Sequence, residues 1–432
     1  MKHFPLLLLL FLAGILISCE GSEQGNQQDS SEELSNEVPD KAEAEVLSRD
    51  IWRAAIDIGE EEIPFDLILE RGLDQSIQGA LVENGEEKVE FEKVRVEGDS
   101  IILPFSVFAS EIRAKLGEDQ LQGTWFNDAR TNHNRLTVTG HPVEKLGSRF
   151  AESSEDPPVN FAGQWEVEFI YKESEKSKAI GIFEQQGRDL KGTFRTETGD
   201  YRYLVGSVYG REMKLSTFDG AHAFLFHAEK LKDGSLKGEF YSGAHWFESW
   251  TAVINPEFTL GNPDSLTFMK DPKEEFQIAF VGTDNQVVKL NDERYWNQPT
   301  LVQIMGTWCP NCKDQTTWLN EVNEKYPGIQ VLSLAFELTT DTAVAFRNIN
   351  RLKEHFDLSY DVLFAGRAGK KTASAALPQL NHVMSYPTLL FLDREHRVQR
   401  IYTGFNGPAT GAVHEKLVES LDASIRQLLE PS

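Results

Sequence analysis

The chain has 432 residues, long for one domain, and 40% of them are hydrophobic, which is ample for more than one packed core. A formal net charge of -25 argues against nucleic acid or an anionic membrane surface as a partner. With only three cysteines (Cys19, Cys309 and Cys312), a framework of disulfide staples is excluded, so the folded parts must be held by their cores.

The chain opens MKHFPLLLLLFLAGILISCE. Lys2 and His3 precede an apolar run, Leu6 to Ile17, which is too short for a membrane span and suits the core of a signal peptide. Leu16-Ile17-Ser18-Cys19 resembles the lipobox of bacterial lipoproteins. That resemblance implies removal of residues 1–18, lipidation of the Cys19 thiol and a chain tethered to a bilayer without spanning it. Residues 19–48 are rich in Glu, Ser, Gln and Asn with few large apolar side chains, and are expected to form a disordered acidic tether.

Residues 49–150 have β texture. Glu62–Gly72 and Val89–Phe105 alternate apolar and polar residues with period two, and Gly98-Asp99 marks a turn. Around Ile112 the spacing fits a short helix as well as strand–turn–strand. The β texture resumes over residues 158–255. Leu121-Gln-Gly-Thr-Trp125, Leu190-Lys-Gly-Thr-Phe194 and Leu236-Lys-Gly-Glu-Phe240 repeat one local pattern. It reads as a strand starting after a turn, with Gly where no side chain fits and an aromatic pointing inward. An antiparallel sandwich or open barrel over residues 49–255 is the expectation. His222, His227, His245, Trp246 and Trp250 concentrate here. A binding rim or metal site is weighed against ordinary strand packing, and packing is favoured because His222 and His227, an odd number apart, face opposite sides of a strand.

Residues 256–275 form a Pro- and Asp-containing connector. Beyond it, apolar runs such as "TLVQIMGTW", "IQVLSLAFE" and "TLLFLDRE" alternate with helix-like stretches at 314–325, 340–355 and 412–429. Apolar strands separated by helices indicate an α/β domain whose sheet is covered on both faces, here residues 276–432. Cys309 and Cys312 fall between a strand and a helix. Free N–H groups at a helix start stabilise a thiolate, and Pro310 suits the first turn because its missing N–H has no partner there anyway. Cys309 is then the exposed nucleophile and Cys312 the resolving thiol. Zinc is disfavoured for want of further ligands, and a structural disulfide because so short a loop removes little unfolded-state entropy.

Trp308-Cys309-Pro310-Asn311-Cys312, followed later by Tyr386-Pro387-Thr388 before an apolar strand, resembles the TlpA-type thioredoxin-like domains, exported thiol–disulfide oxidoreductases of bacteria. Gly404 in "YTGF" matches a glycine common after the family's last strand. The resemblance implies a thioredoxin-like fold and a cis Pro387 against the CxxC, with Tyr386, Trp308 and Pro310 supporting the site. It implies no cofactor beyond the redox-active Cys309–Cys312 pair. It also implies protein thiol or disulfide substrates, an envelope electron donor, and a place in the cell envelope of a Gram-negative bacterium, lipid-anchored and facing the periplasm, at the outer membrane rather than the inner. The whole layout loosely resembles β-rich lipoproteins of Bacteroidetes-type bacteria. The usual proton acceptors are replaced by Gln303 and Gln315, which leaves Glu337 and Asp314 as candidates. The family favours a reductase. A peroxidase of peroxiredoxin type is the enzymatic alternative, although Gly306 stands where that chemistry needs Thr or Ser. A non-catalytic binding lipoprotein is the other.

Overall fold

The computed structural model describes residues 48–430 apart from 131, 152–153 and 173–174. The expected signal peptide, Cys19 and nearly all of the tether lie outside the described residues.

Two antiparallel meanders of nine strands each precede the α/β domain. In the first, strands from Ser48–Asp57 to Arg135–Val143 pair with their sequence neighbours, except that Glu87–Glu90 and Arg95–Glu97 do not pair. The first and last strands do pair, with Ile51 opposite Val143, so the ring is open only between Glu87–Glu90 and Arg95–Glu97. Side chains alternate in and out, and Trp52, Ile56, Phe65, Leu103, Ile112, Trp125 and Val138 fill the inside. The strand Glu62–Arg71 departs from this alternation. It is buried from Ile63 to Leu69 because its outer face packs on the second meander, where Ser216 Oγ donates to the Pro64 carbonyl at 2.6 Å.

In the second meander, Gly163–Tyr171 pairs with both Glu175–Gln186 and Trp246–Ile254, which closes a barrel. Its interior is filled rather than hollow: Phe226 stacks on Phe194 and Phe240, each at 4.4 Å. The expectation of a single sandwich or open barrel is therefore corrected to two separate sheets, the second of them closed. The helix alternative at Ile112 is also excluded, since Ser110–Leu116 is a strand. The repeated Leu-x-Gly-x-aromatic pattern occurs in both sheets. A Cβ on Gly123, Gly192 or Gly238 would lie within 2.4 Å of a carbonyl oxygen on the neighbouring strand, while Trp125, Phe194 and Phe240 are buried. The turn after the strand Glu212–Phe218 locks the two sheets together. Phe218 inserts into the first core, 4.6 Å from Phe65 and 5.1 Å from Trp125.

The α/β domain has a seven-stranded sheet. Asp361–Arg367, Gln330–Glu337 and Thr300–Met305 are parallel, and Thr388–Leu392 and Val398–Thr403 extend the sheet antiparallel. The strands Thr300–Met305 and Thr388–Leu392 are wholly buried, as their unbroken apolar texture requires. Four helices accompany the sheet: α1 (Pro310–Lys325), α2 (Thr342–His355), α3 (Lys370–Ala376) and α4 (Ala412–Leu429). Helix α1 starts at Pro310 rather than at Asp314, so Cys312 lies inside its first turn.

Candidate active site

Cys309 is the N-cap of α1, and its Sγ accepts the backbone N–H of Cys312 at 3.2 Å. The two cysteines are joined by a disulfide. Cys309 is largely buried at 7% exposure, which corrects the expectation of an exposed nucleophile, because the disulfide and the Tyr386–Pro387 loop cover its sulfur, and Cys312 is fully buried. On reduction, a thiolate at Cys309 would receive that N–H and the positive end of the helix, both of which lower a thiol pKa. The Tyr386–Pro387 peptide is cis. The Tyr386 carbonyl lies 3.6 Å from Cys309 Sγ, and its ring packs edge-on against Trp308 at 5.7 Å. Trp308 is itself fixed by its Nε1, which donates to the Phe336 carbonyl at 2.9 Å.

The two candidate proton acceptors have different surroundings. Glu337 is buried next to the turn that leads into the motif. Its carboxylate accepts from Thr307 N at 2.9 Å, Thr307 Oγ1 at 2.7 Å and Asn348 Nδ2 at 3.3 Å. Burial pushes the Glu337 carboxyl up, and the Thr307 and Asn348 hydrogen bonds offset part of that. Asp314 instead forms an ion pair with Arg202, so its charge is already committed. Gln303 is buried beneath the motif. Its amide donates to the Cys312 carbonyl and accepts from Ser333 Oγ at 2.8 Å, a neutral network that carries no titrating proton. Gln315 is also buried, and its amide has no partner among the described residues.

The barrel reaches the motif directly, which nothing in the local sequence pattern announces. Asn311, between the cysteines, donates from Nδ2 to the Asp200 and Phe405 carbonyls, both at 3.3 Å. Gly404 has a φ of +83°, and a Cβ there would lie 2.6 Å from the Thr198 carbonyl carbon, so glycine is required on both counts. Arg202, two residues beyond Asp200, pairs with Asp314 of α1 and with Glu87 of the first sheet, and approaches Asp219 at 3.8 Å. Nothing within "GDYRY" itself specifies these contacts, which come from remote segments.

Burial, followed by the nearby Asp314, pushes the Asp200 carboxyl up to about 6. The folded protein therefore holds this proton to a higher pH than the unfolded chain, which releases it near 3.8. This contribution to stability is complete below pH 4 and is lost as pH rises to 6. Asp200→Asn should remove the loss, worth at most about 3 kcal/mol. Urea midpoints at pH 4 and pH 7 check it: the variant should gain on the wild type between the two, and parallel behaviour would refute the assignment.

The histidine and tryptophan cluster separates. Trp250 is in the barrel interior and His227 pairs across the sheet with Glu239. His222 sits in the turn before the strand Ala223–Lys230, and with His245, Trp246 and Trp308 it lines a cleft where both sheets meet the α/β domain. Among the described residues no group of three or more His, Cys, Asp or Glu is arranged to hold a metal ion.

No family model matches the chain, and no curated protein sequence matches it. Solved structures do resemble part of it. A Chlorobium tepidum protein provisionally assigned as thiol:disulfide interchange protein DsbE is 22% identical over 36% of this chain and 99% of its own, with a TM-score of 0.28. A DsbF homologue from Corynebacterium diphtheriae is 19% identical over 38% of this chain and 98% of its own, with a TM-score of 0.28. A thiol-disulfide oxidoreductase from Bacteroides fragilis is 17% identical over 33% of this chain and 99% of its own, with a TM-score of 0.25. At these values the chemistry has to be read from the site's own geometry.

Proposed function

We propose that the protein is a thiol–disulfide oxidoreductase that reduces disulfides of exported proteins through Cys309 and Cys312, tethered to the membrane by lipid on Cys19. The observation that carries the reading is the helix-capping sulfur of Cys309, which holds the Cys312 N–H, lies beside the cis Pro387 loop and belongs to a residue that keeps 7% exposure where Cys312 has none. In the reaction, the Cys309 thiolate attacks a substrate sulfur, the substrate S–S bond breaks and one thiol leaves. Cys312 then attacks Cys309 Sγ and releases the second thiol, so two electrons pass from the dithiol to the substrate. The Pro387 loop offers backbone groups to an extended substrate segment. An envelope electron donor returns the dithiol. Insulin reduction with dithiothreitol tests the reading. Catalysis above the uncatalysed rate supports it, and an inactive wild type sinks it. A reduction potential in the range of strong oxidants would reverse the direction.

Within this reading, Glu337 takes up the proton released as Cys312 becomes a thiolate. Glu337→Gln should slow single-turnover exchange by about 100-fold. It should also remove the corresponding ionisation from the rate–pH profile, which in the wild type lies above the ordinary carboxylate range because burial raises this group. A variant with a reduced rate and an unchanged profile would leave Glu337 only a structural part.

A further inference from the structure

The cleft beside Trp308 has a volume of about 420 Å³. That is room for a small ligand and too little for a folded protein. Its walls come from all three parts of the molecule. Phe108 and Arg130 belong to the first sheet, His222 and His245 to the barrel, and Trp308 and Arg351 to the α/β domain. Thr307 and Trp308, the two residues before Cys309, line the cleft, so one side of it borders the turn that carries the redox centre.

The charge in the cleft is unusual for this chain. Acidic residues outnumber basic ones by 68 to 43, yet two arginines face the cleft and neither makes an ion pair among the described residues. Arg130 is held in place by neutral groups. Its Nη1 meets His245 Nδ1 at 2.7 Å, its Nη2 donates to the Ala221 carbonyl at 2.9 Å, and its guanidinium lies over the Trp125 ring at 5.7 Å. Arg351, on α2, makes no hydrogen bond among the described residues. The nearby acids, Asp219 by Arg130 and Asp128, Glu337 and Glu354 by Arg351, form no ion pair with either arginine among the described residues. Asp219 accepts from the Ala221 and His222 backbone N–H groups, and Glu337 is taken by Thr307 and Asn348. Burial pushes both guanidinium groups down from their ordinary value, Arg130 to about 10. Asp219 near Arg130, and Asp128, Glu337 and Glu354 near Arg351, offset only part of that burial, so a site that holds two such cations is suited to an anion.

We propose that this cleft is a substrate subsite in which Arg351 and Arg130 bind the carboxylates of a small disulfide and present its sulfurs to Cys309. The inference rests on the dithiol chemistry proposed above and adds a substrate class beside protein disulfides. Apolar side chains such as Phe108 and Trp308 pack the carbon skeleton, and the guanidinium groups fix its charged end. The step balances as before. The bound disulfide takes two electrons from the Cys309–Cys312 dithiol, leaves as two thiols in sequence, and the protein disulfide forms.

Cystine and cystamine separate the idea from general reactivity. Both carry a disulfide and two ammonium groups, and only cystine has carboxylates. The net charge of -25 attracts the cationic cystamine, so bulk electrostatics predicts the opposite preference to the subsite. The full-length protein is reduced, freed of reductant and mixed with each compound, and its oxidation is followed by tryptophan fluorescence. Rates are normalised to those of dithiothreitol with the same compound. The normalised cystine rate should exceed the cystamine rate about tenfold or more, what one charge-assisted hydrogen bond contributes. Arg351→Gln should bring the ratio close to one, and Arg351→Lys should restore part of it. A wild-type ratio at or below one, or a ratio untouched in Arg351→Gln, overturns the subsite. If insulin is reduced in the same preparation, only the subsite has failed. If neither insulin nor either small disulfide is reduced, the dithiol reading has failed and the subsite falls with it.

Discussion

Cys309→Ser should bring insulin reduction down to the uncatalysed rate, whereas Cys312→Ser should keep the first attack and accumulate mixed disulfides with its substrates. The asymmetry follows from position. Cys309 caps α1 at its N-terminus, keeps some exposure and receives a backbone N–H, so its thiolate is both stabilised and reachable. Cys312 is fully buried one turn further along and can reach only the sulfur of Cys309. Without Cys309 no attack begins. Without Cys312 the covalent intermediate has no internal thiol to release it. Non-reducing gels of the two variants after incubation with envelope extract read this out. Adducts on Cys309→Ser in place of Cys312→Ser would reverse the two roles.

Arg202→Met should cost the folded protein about 3–5 kcal/mol, the usual result of removing one partner from a buried ionic cluster. The Arg202 side chain is 7% exposed, and those of Glu87, Asp219 and Asp314 are 10%, 4% and 12%. Solvent therefore screens these charges little, and the methionine would leave three carboxylates close together without their cation. Burial alone would raise the Asp219 carboxyl, but His222 and Arg202 hold it well below the usual carboxylate range. Its contribution is present above the unfolded value near 3.8 and is lost as pH falls below it. The penalty in Arg202→Met should accordingly shrink in acid. Urea unfolding at pH 7 and at about pH 2, well below the unfolded carboxylate value, measures both effects. A loss under about 1 kcal/mol at pH 7 would show that water reaches the cluster and screens it.

The α/β domain was legible because its strands are buried on both faces and so read as unbroken apolar runs, with Cys309 and Cys312 placed between one such run and a helix. The helical texture was plain only from Asp314 on, but Pro310 was already assigned to the first turn, which is where α1 begins. Period-two alternation gave the β texture of both meanders, including the glycine in each Leu-x-Gly-x-aromatic repeat. Barrel closure was not legible. It depends on pairing Trp165 with Ile254, and no local pattern specifies a partner that remote. The same holds at the site. Glu337 stood out as an acid ending an apolar strand, while Asp200, Arg202 and Arg351 look like ordinary surface polar residues. Their significance arises only where distant segments converge on the turn before α1. The histidine cluster was misleading for the same reason: His222 lies in a turn, where strand alternation does not apply.

The hold of the barrel on Asn311 has a consequence for how this protein can change over generations. In a free-standing redox domain, the dipeptide between the cysteines can drift to retune the potential with few neighbours to consult. Here a longer side chain at 311 would meet Gly199, where a Cβ already would fall 2.2 Å from the Asn311 amide, and Gly404 is pinned against Thr198. Positions 199, 311 and 404 are therefore expected to be inherited as a set. Transplanting the redox domain onto another carrier would break that set.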